Sequence, residues 1–171
     1  MHYIIGPAHT MENLYTMLCR SFSFDQACTV QIILHCAEAL DYAHGQGIIH
    51  RDVNPKHIFL SFEEQENRDN IQVLLSHFAF SRIKELERIT DPLEIENTFS
   101  YMSPEECGVI KKIINESSDL YSLGILFYYL LTNTLPFKGE TINSIIHKHI
   151  AQLPYPPSRL NPGCPEILES I

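Results

Sequence analysis

"HRDVNPKHIF", residues 50–59, is the stretch on which the fold turns. An apolar pair, Ile48 and Ile49, leads into the polar triplet His50, Arg51 and Asp52; Pro55 and a second apolar run, Ile58, Phe59 and Leu60, close it. Apolar anchors on both sides of a polar centre describe a loop pinned at its ends, and loops held by a rigid scaffold are where binding and catalytic groups concentrate. The residues around it decide whether this loop is a working active site or only the frame of one.

Upstream, Ser23 and Gln26 have capping-box spacing, and Ala27, Val30, Leu34 and Ala37 follow at helical intervals until Gly45 and Gly47 break the pattern. A helix is predicted to feed the loop. Before it, residues 10–18 can form a short helix with Leu14, Met17 and Leu18 on one side, and the opening "MHYIIGP" reads as a strand ended by Gly6 and Pro7. Downstream, "IFLSF" and "IQVLLSHF" predict a hairpin across the charged, turn-rich stretch 63–70, and residues 79–98 hold no stable period and read as a long loop. Ser117 or Ser118 is placed to cap an apolar helix that runs to about Leu131 and stops at Asn133 and Pro136. "TINSIIHKHIAQ" predicts an amphipathic helix with Ile142, Ile145, Ile146 and Ile150 on one face; its "HKH", residues 147–149, reads as an exposed turn, since i and i+2 face different ways. From Leu153 the chain is rich in proline, at 154, 156, 157, 162 and 165, before "PEILESI" opens a last helix.

At 171 residues, 44% apolar and 19% charged, the composition is that of one globular domain. Acidic residues outnumber basic ones 21 to 12, a net charge of -9, which argues against a general binder of nucleic acid or anionic membrane. Five cysteines, at 19, 28, 36, 107 and 164, are odd in number and form no Cys-x-x-Cys pair, so neither a disulfide framework nor a zinc ribbon is indicated, and a cytoplasmic location is expected. The most apolar run, residues 120–131, falls short of the ~20 needed to cross a bilayer and reads as a buried helix carrying Phe127, Tyr128 and Tyr129.

Four stretches in order give the chain a resemblance to the larger lobe of protein kinases of the serine/threonine branch, and to bacterial multidomain signalling kinases among them: "HRDVNPKHI", "HFA" at 77–79, "NTFSYMSPE" at 97–105 and "DLYSLGILFYYLLTNTLPF" at 119–137. The resemblance implies an α+β, protein-kinase-like fold: a mainly helical C-terminal lobe with short β hairpins, a hinge strand at 1–9, a helical lobe at 10–171 truncated at its C-terminus, and no N-terminal lobe. It implies Asp52 as the base that receives the acceptor hydroxyl's proton, Thr98 as its support, and Phe59 on the floor of the nucleotide cleft. His50 and Phe78 become packing residues, Arg51 a cation for a phosphorylated or acidic segment, and Asp119 an acceptor for the loop's backbone. Ser81, Thr90 and Thr98 become candidate phosphate acceptors, and Glu105 a carboxylate whose usual Arg partner lies beyond residue 171; Cys107, just after "SPEE", reads as a packed thiol, or as a reactive one where exposed.

The departures fall on charge-handling positions. His57 stands where the family places Asn, His77 where it places the Asp of Asp-Phe-Gly, Ala79 where it places that Gly, and Asn54 where a Lys is common. ATP and magnesium are the cofactors the resemblance implies, yet magnesium takes oxygen ligands in octahedral array and imidazole nitrogen is a poor replacement. Loss of the usual magnesium site is therefore expected, and Asp52 can also be read as retained for its hydrogen bonds alone. Two further readings of His57 and His77 stand side by side: with Asp52 they hold a transition metal such as zinc, or they fill a vacated pocket. The function implied is a catalytically impaired, pseudokinase-like lobe with a binding or regulatory role, its partner a protein or the missing N-terminal lobe. The alternative is a serine/threonine kinase that transfers the ATP γ-phosphate to protein hydroxyls when an N-terminal lobe outside the chain completes it; a third is a functionless remnant. Without an upper lobe, Ile4, Ile5 and Phe59 are expected to be exposed and to drive aggregation or partner dependence.

Overall fold

The computed structural model describes residues 11–62, 71–78, 98–108 and 113–169. The predicted strand at 1–9 with Ile4 and Ile5, the turn stretch 63–70, and Ala79, Ser81 and Thr90 lie outside the described residues.

The chain enters through a two-residue strand, β1 (Glu12–Asn13), and a short helix, α1 (Leu14–Cys19), which starts at Leu14 because the Asn13 side chain accepts from the Thr16 amide. Leu14 and Met17 are buried beneath it. The longer α2 (Gln26–His44) opens on Asp25, whose carboxylate accepts from the Cys28 amide at 2.8 Å, so the cap is Asp25 and not the expected Ser23–Gln26 box. Its buried side is Cys28, Thr29, Ile32, Cys36, Leu40 and Ala43, whereas Val30 and Leu34, two of the apolar residues whose helical spacing predicts the element, are 39% and 52% exposed. This helix carries apolar residues around most of its circumference, so periodicity gives the element and only its neighbours give its rotation.

Past Gly47, whose φ of 73° turns the chain, comes the polar loop and a 3-10 turn at Pro55–His57. Strands β2 (Ile58–Phe62) and β3 (Ile71–Leu75) then pair antiparallel, with Ile58 opposite Leu75 and Phe62 opposite Ile71; β1 lies on the other side of β2, giving the order β1-β2-β3. Ile58 and Leu60 point into the core. Phe59, expected to be exposed, is partly buried between Asn13 and Leu74.

The central element is α3 (Glu116–Thr132). Asn115 caps it by accepting from the Ser117 amide at 3.0 Å, in place of Ser117 or Ser118, and Asn133 ends it in the left-handed region at φ 52°. Leu123, Ile125, Leu126 and Leu130 meet Ile32, Cys36 and Leu40 of α2 in the main core, while Phe127 and Leu131 meet Cys164 in a second cluster. A helix so apolar on several sides is stable only when enclosed, at about 1.5–3 kcal/mol per large side chain buried.

Helix α4 (Ile142–Ala151), capped by Thr141, buries Ile145 and His149; Ile150, expected on the buried face, is 41% exposed. His149 is thus not part of an exposed turn: its Nδ1 accepts the Tyr121 hydroxyl at 2.7 Å, and Phe137 packs edge-on against the ring at 4.9 Å. An extended, proline-rich strap then leads to two single turns, α5 (Pro157–Leu160) and α6 (Glu166–Glu169). The strap is tied back by the Asn161 side-chain amide on the Leu131 carbonyl at 2.8 Å and by the Gln26 side chain on the Gly163 carbonyl. Six helices and a three-stranded sheet among the described residues make the fold helix-rich α+β, and none of these helices is long and apolar enough to cross a membrane.

Candidate functional site

Residues 50–57 join α2 to β2, and α3 shapes them from behind. Asp119, 1% exposed in the first turn of α3, accepts from the His50 amide at 2.8 Å and the Arg51 amide at 2.7 Å, one on each carboxylate oxygen. His44, from the last turn of α2, donates Nε2–H to the same carboxylate at 2.7 Å. Three donors compensate one buried charge, as burial of a carboxylate demands. Between them Arg51 is held at φ 68°, a left-handed conformation that costs a residue with a Cβ about 1–2 kcal/mol.

His50 is fully buried behind the loop. Its Nε2–H donates to the Ser76 carbonyl at 2.8 Å and its Nδ1 accepts from the Asp52 amide at 3.2 Å, which fixes a neutral tautomer. Burial is the main cause that pushes the imidazole pKa below its usual 6.5, against the opposing pull of the Ser76 bond and the Asp119 charge. Phe78 lies 4.5 Å from this ring and packs on the core.

In front of it, Asp52 is 16% exposed, and its Oδ1 accepts from the Asn54 side-chain amide at 2.6 Å. The Asn54 oxygen in turn accepts from the Lys56 amide at 2.8 Å and caps the turn Pro55–His57. One neutral side chain thereby both builds the turn and holds the carboxylate. Lys56 is drawn the other way: Asn13 grips its carbonyl at 2.7 Å, and its ammonium sits 5.3 Å from the ring centre of Tyr15 on α1.

His57 donates Nδ1–H to the Asp52 carbonyl at 2.9 Å, with the Asp52 Oδ2 at 3.6 Å. His77, at φ 66°, donates Nδ1–H to the Ser76 hydroxyl at 2.9 Å, and that hydroxyl donates to the His57 carbonyl at 3.0 Å. The hairpin β2–β3 brings the two imidazoles face to face, ring centres 4.5 Å apart and planes 20° from parallel. Nitrogen lone pairs lie in the ring plane, so near-parallel rings do not aim theirs at one point as a tetrahedral ion requires. Among the described residues no group of three or more His, Cys, Asp and Glu side chains is placed to hold a metal. Nor does this set fit magnesium: stacked imidazoles stand at two positions where oxygen donors are needed, and Asp52 is engaged by Asn54.

The structure thus gathers Asp52, Asn54, His57 and His77 at the front, with His50, Phe78 and Asp119 behind. Thr98 opens the segment 98–108, partly buried. Further along, the fully buried Ser118 hydroxyl donates to the Glu105 carboxylate at 2.6 Å. Sequence reasoning missed His44 and Ser76 and read Ser118 only as a candidate cap; nothing in spacing marks their roles, since each reaches a partner in another segment. The cap at Asn54 did carry a local signal, Asn directly before Pro.

Residues 2–168 match the family described as the protein kinase domain. The chain is similar to "Probable serine/threonine-protein kinase PknB" of Bifidobacterium longum, 33% identical over 141 residues, covering 82% of this chain and 19% of that protein. It is 31% identical over 166 residues to the serine/threonine-protein kinase pkn3 of Myxococcus xanthus, covering 95% and 28%, and 31% identical over 143 residues to PknB of Mycobacterium leprae, covering 83% and 22%. It spans 19 to 28% of the length of these relatives.

Proposed function

The chain belongs to the protein kinase family, and from that premise we propose that it is a kinase-like lobe impaired in phosphoryl transfer, whose role is binding or regulation. The observation that carries this is the front of the loop: His57 stacks on His77 at 4.5 Å, and Asn54 holds Asp52 Oδ1 at 2.6 Å. Phosphoryl transfer depends on positioning and on positive charge where negative charge develops, and asks little covalent work of the protein. Here the Lys-like position is a neutral amide and the neighbouring Lys56 turns to Tyr15. The frame that Asp119 maintains behind it is compatible with a surface that other proteins read. We take the partner to be a protein and the compartment to be the cytosol.

One observation favours a second reading. Asp52 is present and partly accessible, and the relatives are named serine/threonine kinases; in that reading the lobe serves a longer enzyme that phosphorylates protein hydroxyls. Thermal shift with ATP, with and without Mg²⁺ or Mn²⁺, together with a phosphotransfer assay on a protein acceptor, separates the two. The impaired lobe gives no metal-dependent rise and no transfer. Transfer that Asp52→Asn abolishes would reverse the assignment.

A further inference from the structure

The strap after α4 has no part in the Asp52 site. It reads Leu153-Pro154-Tyr155-Pro156-Pro157-Ser158-Arg159, two apolar–proline pairs three residues apart followed by an arginine. Covalent geometry sets its shape: the rings fix φ at 154, 156 and 157, and residues 153, 155 and 156 each precede a proline, which pushes them out of the helical region. Pro156 accordingly sits at φ -56° and ψ 132°, the polyproline II region, and Gln152 before the strap is extended at φ -116° and ψ 134°.

Residues 152–156 are exposed throughout; Leu153 is 88% and Tyr155 69% accessible, a poor arrangement for side chains that only pack. Both ends are tied. The Gln152 amide donates to the Lys148 carbonyl at 3.0 Å, the Ser158 amide to the Glu169 carboxylate at 2.6 Å, and the Asn161 amide to the Pro157 carbonyl at 2.8 Å. Residues 152–156, extended and stiff, lose little entropy when they dock.

We propose that residues 153–159 are a ligand for a protein module that reads polyproline II helices, with a groove of aromatic rings and an acidic patch beside it. Three residues make one turn of such a helix, so Leu153–Pro154 and Pro156–Pro157 fall on the same edge, one pair to each aromatic slot. Arg159, exposed two residues beyond, meets the acidic patch. It lies in α5, a single four-residue turn too short to persist without its ties, so this end straightens as the arginine engages.

The chain contains no tryptophan, so the groove tryptophan of an SH3 domain that takes Pro-x-x-Pro-x-Arg ligands reports on binding directly. The intact chain and a peptide of residues 151–161 are each titrated into it. Both are expected to give saturating changes, the chain weaker than the peptide by up to about tenfold, the cost of releasing the Ser158 and Asn161 bonds that hold α5. Binding should weaken at least about tenfold with Pro154→Ala plus Pro157→Ala, and likewise with Arg159→Glu, while the far-ultraviolet spectrum and melting stay unchanged. Three results overturn the proposal: neither titrant binds, the peptide binds and the chain does not, or the variants bind as well as the parent. Phosphotransfer activity at Asp52, present or absent, leaves it untouched.

Discussion

Replacing Asp119 by alanine tests how the loop at 50–57 acquires its shape. The carboxylate serves the His50 amide, the Arg51 amide and the His44 imidazole at 2.7–2.8 Å, and is 1% exposed. Each buried donor left without an acceptor costs about 1–3 kcal/mol, and removing one partner from a buried charged cluster costs about 3–5. Release of the carboxylate's own desolvation penalty and of the left-handed strain at Arg51 offsets part of this. Asp119→Ala is therefore expected to lose about 4 kcal/mol, a fall in Tm of roughly 8–16 °C for a chain of this size. Urea denaturation followed by circular dichroism measures the loss, and hydrogen exchange at the His50 and Arg51 amides localises it. Asp119→Asn keeps one oxygen acceptor and should fall between the two. If Asp119→Ala melts within about 1 kcal/mol of the parent, with both amides still protected, the loop is not held from α3 and the reasoning fails.

Asn54→Ala removes both the cap on Pro55–His57 and the donor to Asp52 Oδ1; a loss of about 1–2 kcal/mol is expected in the same urea titration. Ser118→Ala takes from Glu105 its 2.6 Å donor, and a loss of about 1–2 kcal/mol is expected in the same titration. His149 gives a pH dependence: burial, its largest cause, lowers the pKa from 6.5 to about 4. The unfolded chain then binds a proton that the folded one refuses, so stability present above pH 6.5 is lost as pH falls towards 4, by up to about 3 kcal/mol. His149→Phe should flatten the pH 4–6.5 limb of a stability profile; an unchanged limb would place the titration elsewhere.

The antiparallel pair β2–β3 and the extent of α2 were legible because short apolar runs and glycine stops are local signals. The phase of α2 was not: Val30 and Leu34 are as apolar as Ile32 and Cys36, and only α3 and β3 choose between the two sides. Caps slipped for a related reason. Around Ser23, Asp25, Asn115 and Ser117 several competent acceptors crowd a few positions, and backbone geometry selects one. His149 looked like a surface residue because its partners, Tyr121 and Phe137, come from other segments. At the site, the identity of His57 and His77 was plain in the sequence, but their mutual orientation follows from the register of β2 on β3. No spacing rule could have told converging nitrogens from stacked rings.

The buried carboxylate at 119 sits 68 to 75 positions from the groups it grips. A brace so distant in the chain, sealed away from solvent, divides the loop into two strata under separate constraint: a rear wall that dictates contour and a forward surface free to change its chemical character. Substitutions at 54, 57 and 77 should then alter the chemistry of the front without collapsing the contour behind it, and His57→Asn with His77→Asp should leave the three bonds to Asp119 intact.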